Sequence, residues 1–117
     1  KVLKAAEDSP YNVLHICKDR LNLERYRNYP CAVVNWGVYE QNPSLLEGAA
    51  IFPDKAILGG LEDRSGVLVD GTKEQIQNEV NQILRMMDGR RFLLGADCTL
   101  PTEIAYDRIH AAVEAVE

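Results

Sequence analysis

The sequence predicts an α/β fold in which four parallel strands alternate with helices, curved into half of an eightfold (β/α)8 barrel. Three observations predict it. A strand-like apolar run followed by an amphipathic or capped helical run occurs four times. The strand runs are almost continuously apolar, as suits parallel strands covered on both faces. Polar, chemistry-bearing residues gather where each strand ends, the edge on which open α/β sheets and (β/α)8 barrels place their sites.

The first unit is NVLHICK followed by LNLERYRNY, and the leading KVLKAAEDS reads as the end of a further helix. The second is CAVVNW followed by NPSLLEGAA, with Asn42 as the expected helix cap and Pro43 in the first turn. The third is KAILGGLE followed by TKEQIQNEVNQILRMMDG. Thr72 and Gln75 form a capping-box pattern there, and Ile76, Val80, Ile83, Leu84 and Met87 fall on one helical face before Gly89. The fourth is RFLLGADC followed by AYDRIHAAVEAV, whose Ile109, Ala112, Val113 and Val116 are expected to face inward. Short links between such units imply right-handed crossovers and a parallel sheet. Gly59-Gly60 lacks the spacing of a dinucleotide-binding or P-loop motif.

A length of 117 residues suits one domain, residues 1–117. No apolar run nears the roughly 20 residues that span a membrane, and no signal segment opens the chain, so a cytoplasmic location is expected. The chain starts at Lys1 inside a helical pattern, which suggests a start within a larger protein. The net charge of −5 and the scattered basic residues argue against a nucleic-acid partner. Arg85, Arg90 and Arg91 lack aromatic neighbours and read as a solvated helix end.

Three cysteines, Cys17, Cys31 and Cys98, make no disulfide framework. Side chains alternate along a strand, so His15 and Cys17 point to one side and can chelate one ion. Cys98, at the matching edge of the fourth unit, is the best-placed third ligand. Across three strand spacings of a flat sheet it would lie roughly 14 Å away. Metal–ligand bonds of about 2.0–2.3 Å therefore demand barrel curvature. The bland alternative is a packed cysteine beside a hydrogen-bonded histidine. Cys31, at the opposite edge, reads as a buried thiol, and His110 as exposed or as a packing residue. Trp36 lines the mouth of a site or belongs to the core. Glu62, Asp63 and Arg64 meet substrate at the mouth or pair with one another. Asp97 orients a ligand or, in the favoured alternative, is a solvated turn residue.

The stretch ILGGLEDRSGVLVDGTKEQIQNEV resembles the last third of the uroporphyrinogen decarboxylase superfamily. Gly59, Gly60, Leu61, Glu62 and Asp63 occupy a turn that is Gly-Asn-Leu-Asp-Pro-like in that superfamily, with its Asn, Asp and Pro all replaced. Gly71 and Thr72 keep its helix start. FLLGADCTLPTEIAYDRIHAAVEAV resembles the eighth strand and final helix, and HICKD the fifth-strand His-x-Cys-Gly, with Lys18 in place of Gly. The resemblance spans essentially the whole chain and implies the C-terminal half of a TIM-type barrel.

Two branches follow from the resemblance. In the methylcobalamin:coenzyme M methyltransferase branch, a cysteine near the eighth strand joins the His-x-Cys pair to bind zinc. His15, Cys17 and Cys98 match that set, and Glu40 is the candidate carboxylate ligand. This implies zinc-dependent methyl transfer from a methylcorrinoid, carried by a corrinoid protein, to a small-molecule thiol, with Trp36, Glu62, Asp63 and Arg64 as substrate-side candidates. In the decarboxylase branch the substrate is a tetrapyrrole of porphyrin and haem biosynthesis; its acidic and arginine residues lie mainly in the N-terminal half. A third alternative is a catalytically inactive module or assembly part. Exposed edge strands predict a homodimer.

Overall fold

The structure, a computed structural model, describes residues 1–117. Strands β1 (Val13–Ile16), β2 (Val33–Trp36), β3 (Ala56–Leu61) and β4 (Phe92–Ala96) form one parallel sheet in the order β1-β2-β3-β4. Helices α1 (Val2–Ala5), α2 (Leu45–Ile51), α3 (Val67–Asp70), α4 (Lys73–Met86) and α5 (Tyr106–Val116) complete the chain. Sequential parallel order with helical crossovers is the architecture the sequence predicts, an arc of a (β/α)8 barrel.

The two sheet faces differ. Ile16, Val34, Trp36 and Ile57 are buried on the helix-covered side. The register sets His15 opposite Asn35, Asn35 opposite Leu58, and Leu58 opposite Leu93. These residues share the other face, which carries no helices. Its apolar members stay open, with Val13 48% and Leu93 51% exposed. The core therefore lies between the sheet and the helices, where fifteen buried apolar residues form one cluster.

Helix α4 follows its sequence pattern. The Thr72 side chain accepts from Gln75 N–H while the Gln75 side chain accepts from Thr72 N–H. Ile76, Val80, Ile83 and Met87 are buried, and Leu84 packs at the cluster's edge.

Three local expectations are corrected, and one turn is added. The first crossover is a single 3-10 turn, Leu23–Tyr26, rather than a full helix over 21–29, because Leu23 is the sole buried residue of that turn and no apolar stripe supports more. The cap of α2 is Ser44, not Asn42: Ser44 and Glu47 bond each other reciprocally. Asn42 instead clamps two loops. Its Nδ2 donates to Lys18 O at 2.9 Å and Gly37 O at 2.7 Å, and its Oδ1 accepts from Leu21 N–H at 2.8 Å. Helix α5 is rotated by about one residue, so Ala111 and Ala112 are buried while Val113 and Val116 are half exposed. Arg108 turns that face inward by donating to the carbonyls of Leu68, at 2.7 Å, Val67, at 3.1 Å, and Gly71. Arg108 thereby caps the C-terminal end of α3, where Val67 O also accepts from Gly71 N–H at 2.8 Å. Finally, α3 is an extra turn that no periodic signal marks, inserted with Leu68 buried.

Candidate metal centre

The carboxyl ends of β1 and β4 meet. Cys17 Sγ lies 4.0 Å from Cys98 Sγ, and Cys98 Sγ lies 3.5 Å from His15 Nε2. The three ligand atoms all fall within 4.8 Å of one another. Strands three positions apart reach this proximity because the sheet curls. A flat sheet would hold them roughly 14 Å apart.

Each donor is positioned by local chemistry. His15 stands on β1 on the open face, with its Nδ1 hydrogen-bonded to Asn35 Oδ1. Cys17 follows the last residue of β1, where the backbone turns away. Lys18 then adopts φ +143°, a conformation that favours glycine. Cys98 follows Asp97, which is 1% exposed and ties three segments together. Asp97 Oδ1 accepts from Gly60 N–H at 2.8 Å and Oδ2 from Val38 N–H at 2.9 Å. Gly59, at φ +147°, leaves room for this carboxylate; a Cβ there would come within 3.0 Å of Asp97 Oδ1. The expectation of a solvated Asp97 is thus corrected. The residue is buried because two strand-end amides need its oxygens.

Burial pushes the Asp97 carboxyl up to about 6, against the pull of its two backbone N–H partners and with help from the Asp63 and Glu62 charges. The Cys17 thiol is also raised, first by its hydrogen bond to Cys98, then by charge repulsion from Cys98 and by Glu40. Two thiolates this close repel without a cation between them.

The donor set fits a tetrahedral divalent ion. Zn–S bonds of about 2.3 Å and Zn–N bonds of about 2.0 Å at tetrahedral angles give S···S near 3.8 Å and N···S near 3.5 Å. Two of the three spacings match, at 4.0 and 3.5 Å, and the third, between His15 and Cys17, is within 4.8 Å. Two sulfurs and one imidazole leave a fourth position free, the pattern of catalytic rather than structural zinc. A pocket of ≈ 240 Å³ lined by His15, Asn35, Cys98 and Thr99 opens onto it. A larger cleft of ≈ 410 Å³, lined in part by Lys55, Arg90 and Arg91, lies at the opposite strand edge and contains no sulfur or imidazole.

The remaining predicted residues divide. Glu40 stands outside the three-ligand group, packed over Gly37, with its charge reaching Cys17. Trp36 does not line the mouth. It is 0% exposed on the helix side of the sheet, packed against Phe52, and donates to Pro43 O at 2.8 Å. Its strand parity puts it opposite the face that carries His15 and Asn35. Asp63 is buried and pairs with Arg64 at 3.6 Å, while Glu62 accepts from Ser65 Oγ. Asp63 Oδ2 has no hydrogen-bond partner. Cys31 is partly buried at the other sheet edge, its thiol raised by burial and its Sγ 3.6 Å from Tyr29 O. Tyr39, which no motif marks, donates to Gly60 O at 3.0 Å and faces Glu79 Oε1 at 3.2 Å. Asn35, the one amide inside the otherwise apolar run CAVVNW, was the signal available in the sequence.

No helix is long and apolar enough to cross a membrane. No curated protein matches the chain significantly. The family model for uroporphyrinogen decarboxylase (URO-D) matches residues 1–117. With that match over its whole length and a curled parallel sheet to accommodate it, the chain belongs to the uroporphyrinogen decarboxylase family.

Proposed function

We propose that the chain contributes a zinc site for methyl transfer from a methylcorrinoid to a thiol. The observation that carries this is the convergence of His15, Cys17 and Cys98 within 4.8 Å from opposite ends of the sheet. His15 and the two cysteines would hold the ion, two thiolates balancing its charge. Glu40, whose charge already reaches Cys17, would hold the fourth position in the resting state and yield it to the substrate thiol. Bound zinc supplies Lewis acidity, which ionises a thiol at neutral pH while leaving its sulfur electron-rich. The open sheet face leaves this edge accessible to a small thiol and to a corrinoid presented by a partner protein. The thiolate attacks the cobalt-bound methyl group. The carbon–sulfur bond forms, the cobalt–carbon bond breaks, and its electron pair stays on cobalt. Asp63 and Arg64, paired at the same edge, are the polar groups nearest to a role in seating the thiol's tail.

Zinc titration of the chain tests the reading. One equivalent bound by the native chain, and its loss in His15→Ala, Cys17→Ser and Cys98→Ser, is the expected result. Zinc uptake unchanged by His15→Ala overturns it. Activity is read with free methylcobalamin and coenzyme M, by the appearance of cob(I)alamin. The family's name offers a second reading, decarboxylation of a tetrapyrrole acid. Porphyrinogen decarboxylation by metal-stripped protein would select it.

A further inference from the structure

Asn35 is a buried polar side chain, 6% exposed, directly opposite His15 in the parallel register. Its Nδ2 donates to Leu58 O on β3 at 2.9 Å and to Ala96 O on β4 at 3.2 Å. Carbonyls only accept, so both amide hydrogens are committed and the amide cannot be flipped. Oδ1 must then face His15. A carbonyl oxygen also only accepts, so the proton on neutral His15 must sit on Nδ1. Nε2, 3.5 Å from Cys98 Sγ, is left with its lone pair toward the sulfurs. Neutral imidazole free in water prefers the opposite tautomer, with the proton on Nε2, which would block that position.

We propose that Asn35 is a positioning residue that locks His15 in the Nδ1–H tautomer and so presents Nε2 to the cation, an inference that rests on the zinc site proposed above. The lock has a second function. One amide on β2 bonds β1, β3 and β4 together. It fixes the sheet's curl at the level where His15 and Cys98 must meet. A ligating histidine whose other nitrogen is held by a protein acceptor gains both orientation and basicity.

The test reads the tautomer directly, without metal. Long-range ¹H–¹⁵N correlation spectra of the ¹⁵N-labelled chain at pH 8 should give the Nδ1–H pattern for His15. Asn35→Leu, close in shape but without an acceptor, should move it toward Nε2–H and weaken zinc binding about 10–100-fold. Asn35→Asp keeps an acceptor toward His15 but sets its second oxygen against the Leu58 and Ala96 carbonyls, so it should keep the Nδ1–H pattern while lowering the melting temperature. An Nε2–H pattern in the native chain overturns the inference with no variant needed, whether or not zinc binds. Unchanged tautomer and zinc affinity in a folded Asn35→Leu chain overturns it too. An Nδ1–H pattern in a chain that takes up no zinc removes the zinc site and leaves the lock itself standing, so the two failures are separable.

Discussion

Cys17 and Cys98 place their sulfurs 4.0 Å apart, although 81 positions separate them along the chain. Neither forms a disulfide. A disulfide needs about 2.05 Å, so the two sulfurs would have to approach by about 2 Å. The metal-free chain treated with diamide should lose two thiols and gain one intrachain Cys17–Cys98 bond, the diamide being reduced to its hydrazine. Cys31 should remain free for alkylation. Prior zinc loading should protect the pair. Peptide mapping under non-reducing conditions checks this; a Cys31-containing bridge, or equal oxidation with and without zinc, would contradict it.

The Asp97 carboxyl should make the metal-free chain less stable as pH rises. Its folded value of about 6 stands above the ordinary 3.8. The folded state therefore binds more protons between those values, and the stabilisation is complete below about 3.9 and lost as pH rises through 6. Asn cannot titrate, so the stability difference between native and Asp97→Asn chains isolates the effect. The native chain should lose on the order of 2–3 kcal/mol relative to the variant between pH 4 and 7. A difference that grows in the native chain's favour would mean that the two amide bonds outweigh burial.

Gly48 allows α2 to lie against Trp36. A Cβ at position 48 would come within 2.0 Å of the indole ring. Gly48→Ala should destabilise by about 1–3 kcal/mol, overpacking outweighing a helix-propensity gain of up to about 1 kcal/mol. Trp36 is the single tryptophan, so its buried emission should shift to longer wavelength. Chemical unfolding followed by that fluorescence decides; a neutral or stabilised variant would refute the close approach.

Lys18 holds φ +143° at an exposed position directly after Cys17. Such a conformation costs about 1–3 kcal/mol for a residue with a side chain, whereas glycine loses only its extra unfolded-state freedom, about 0.5–1 kcal/mol. Lys18→Gly should therefore stabilise by about 1 kcal/mol without altering zinc uptake. A lower melting temperature would show that the lysine side chain, not the backbone, matters there.

The edges of β1 and β4 have no neighbours, and Val13 and Leu93 are open on the helix-free face. Pairing with a second copy would cover both. Light scattering should give twice the 13.1 kDa chain mass, and Leu93→Lys should shift it to monomer. A monomer at high concentration would oppose this.

The alternation of strands and helices, the α4 capping box and the shared side of His15 and Cys17 were legible because each depends on spacing within a few residues. Local periodicity also misled where distant contacts prevail. Val113 and Val116 satisfy a helical stripe, yet Arg108 reaches the α3 carbonyls and rotates that stripe outward. Trp36 ends a strand beside polar residues, yet parity and the Gly48 gap send it to the core.

By itself the sequence determined which residues form strands, which ends carry polar chemistry, and that a three-ligand site needs a curled sheet. Only the tertiary structure decided that Cys98 meets Cys17, that Asp97 is buried between two strand ends, and that Asn35 governs His15. Curvature accumulates over four strands and their helices. The positions it brings together depend on packing between segments far apart in the chain, which no local pattern encodes.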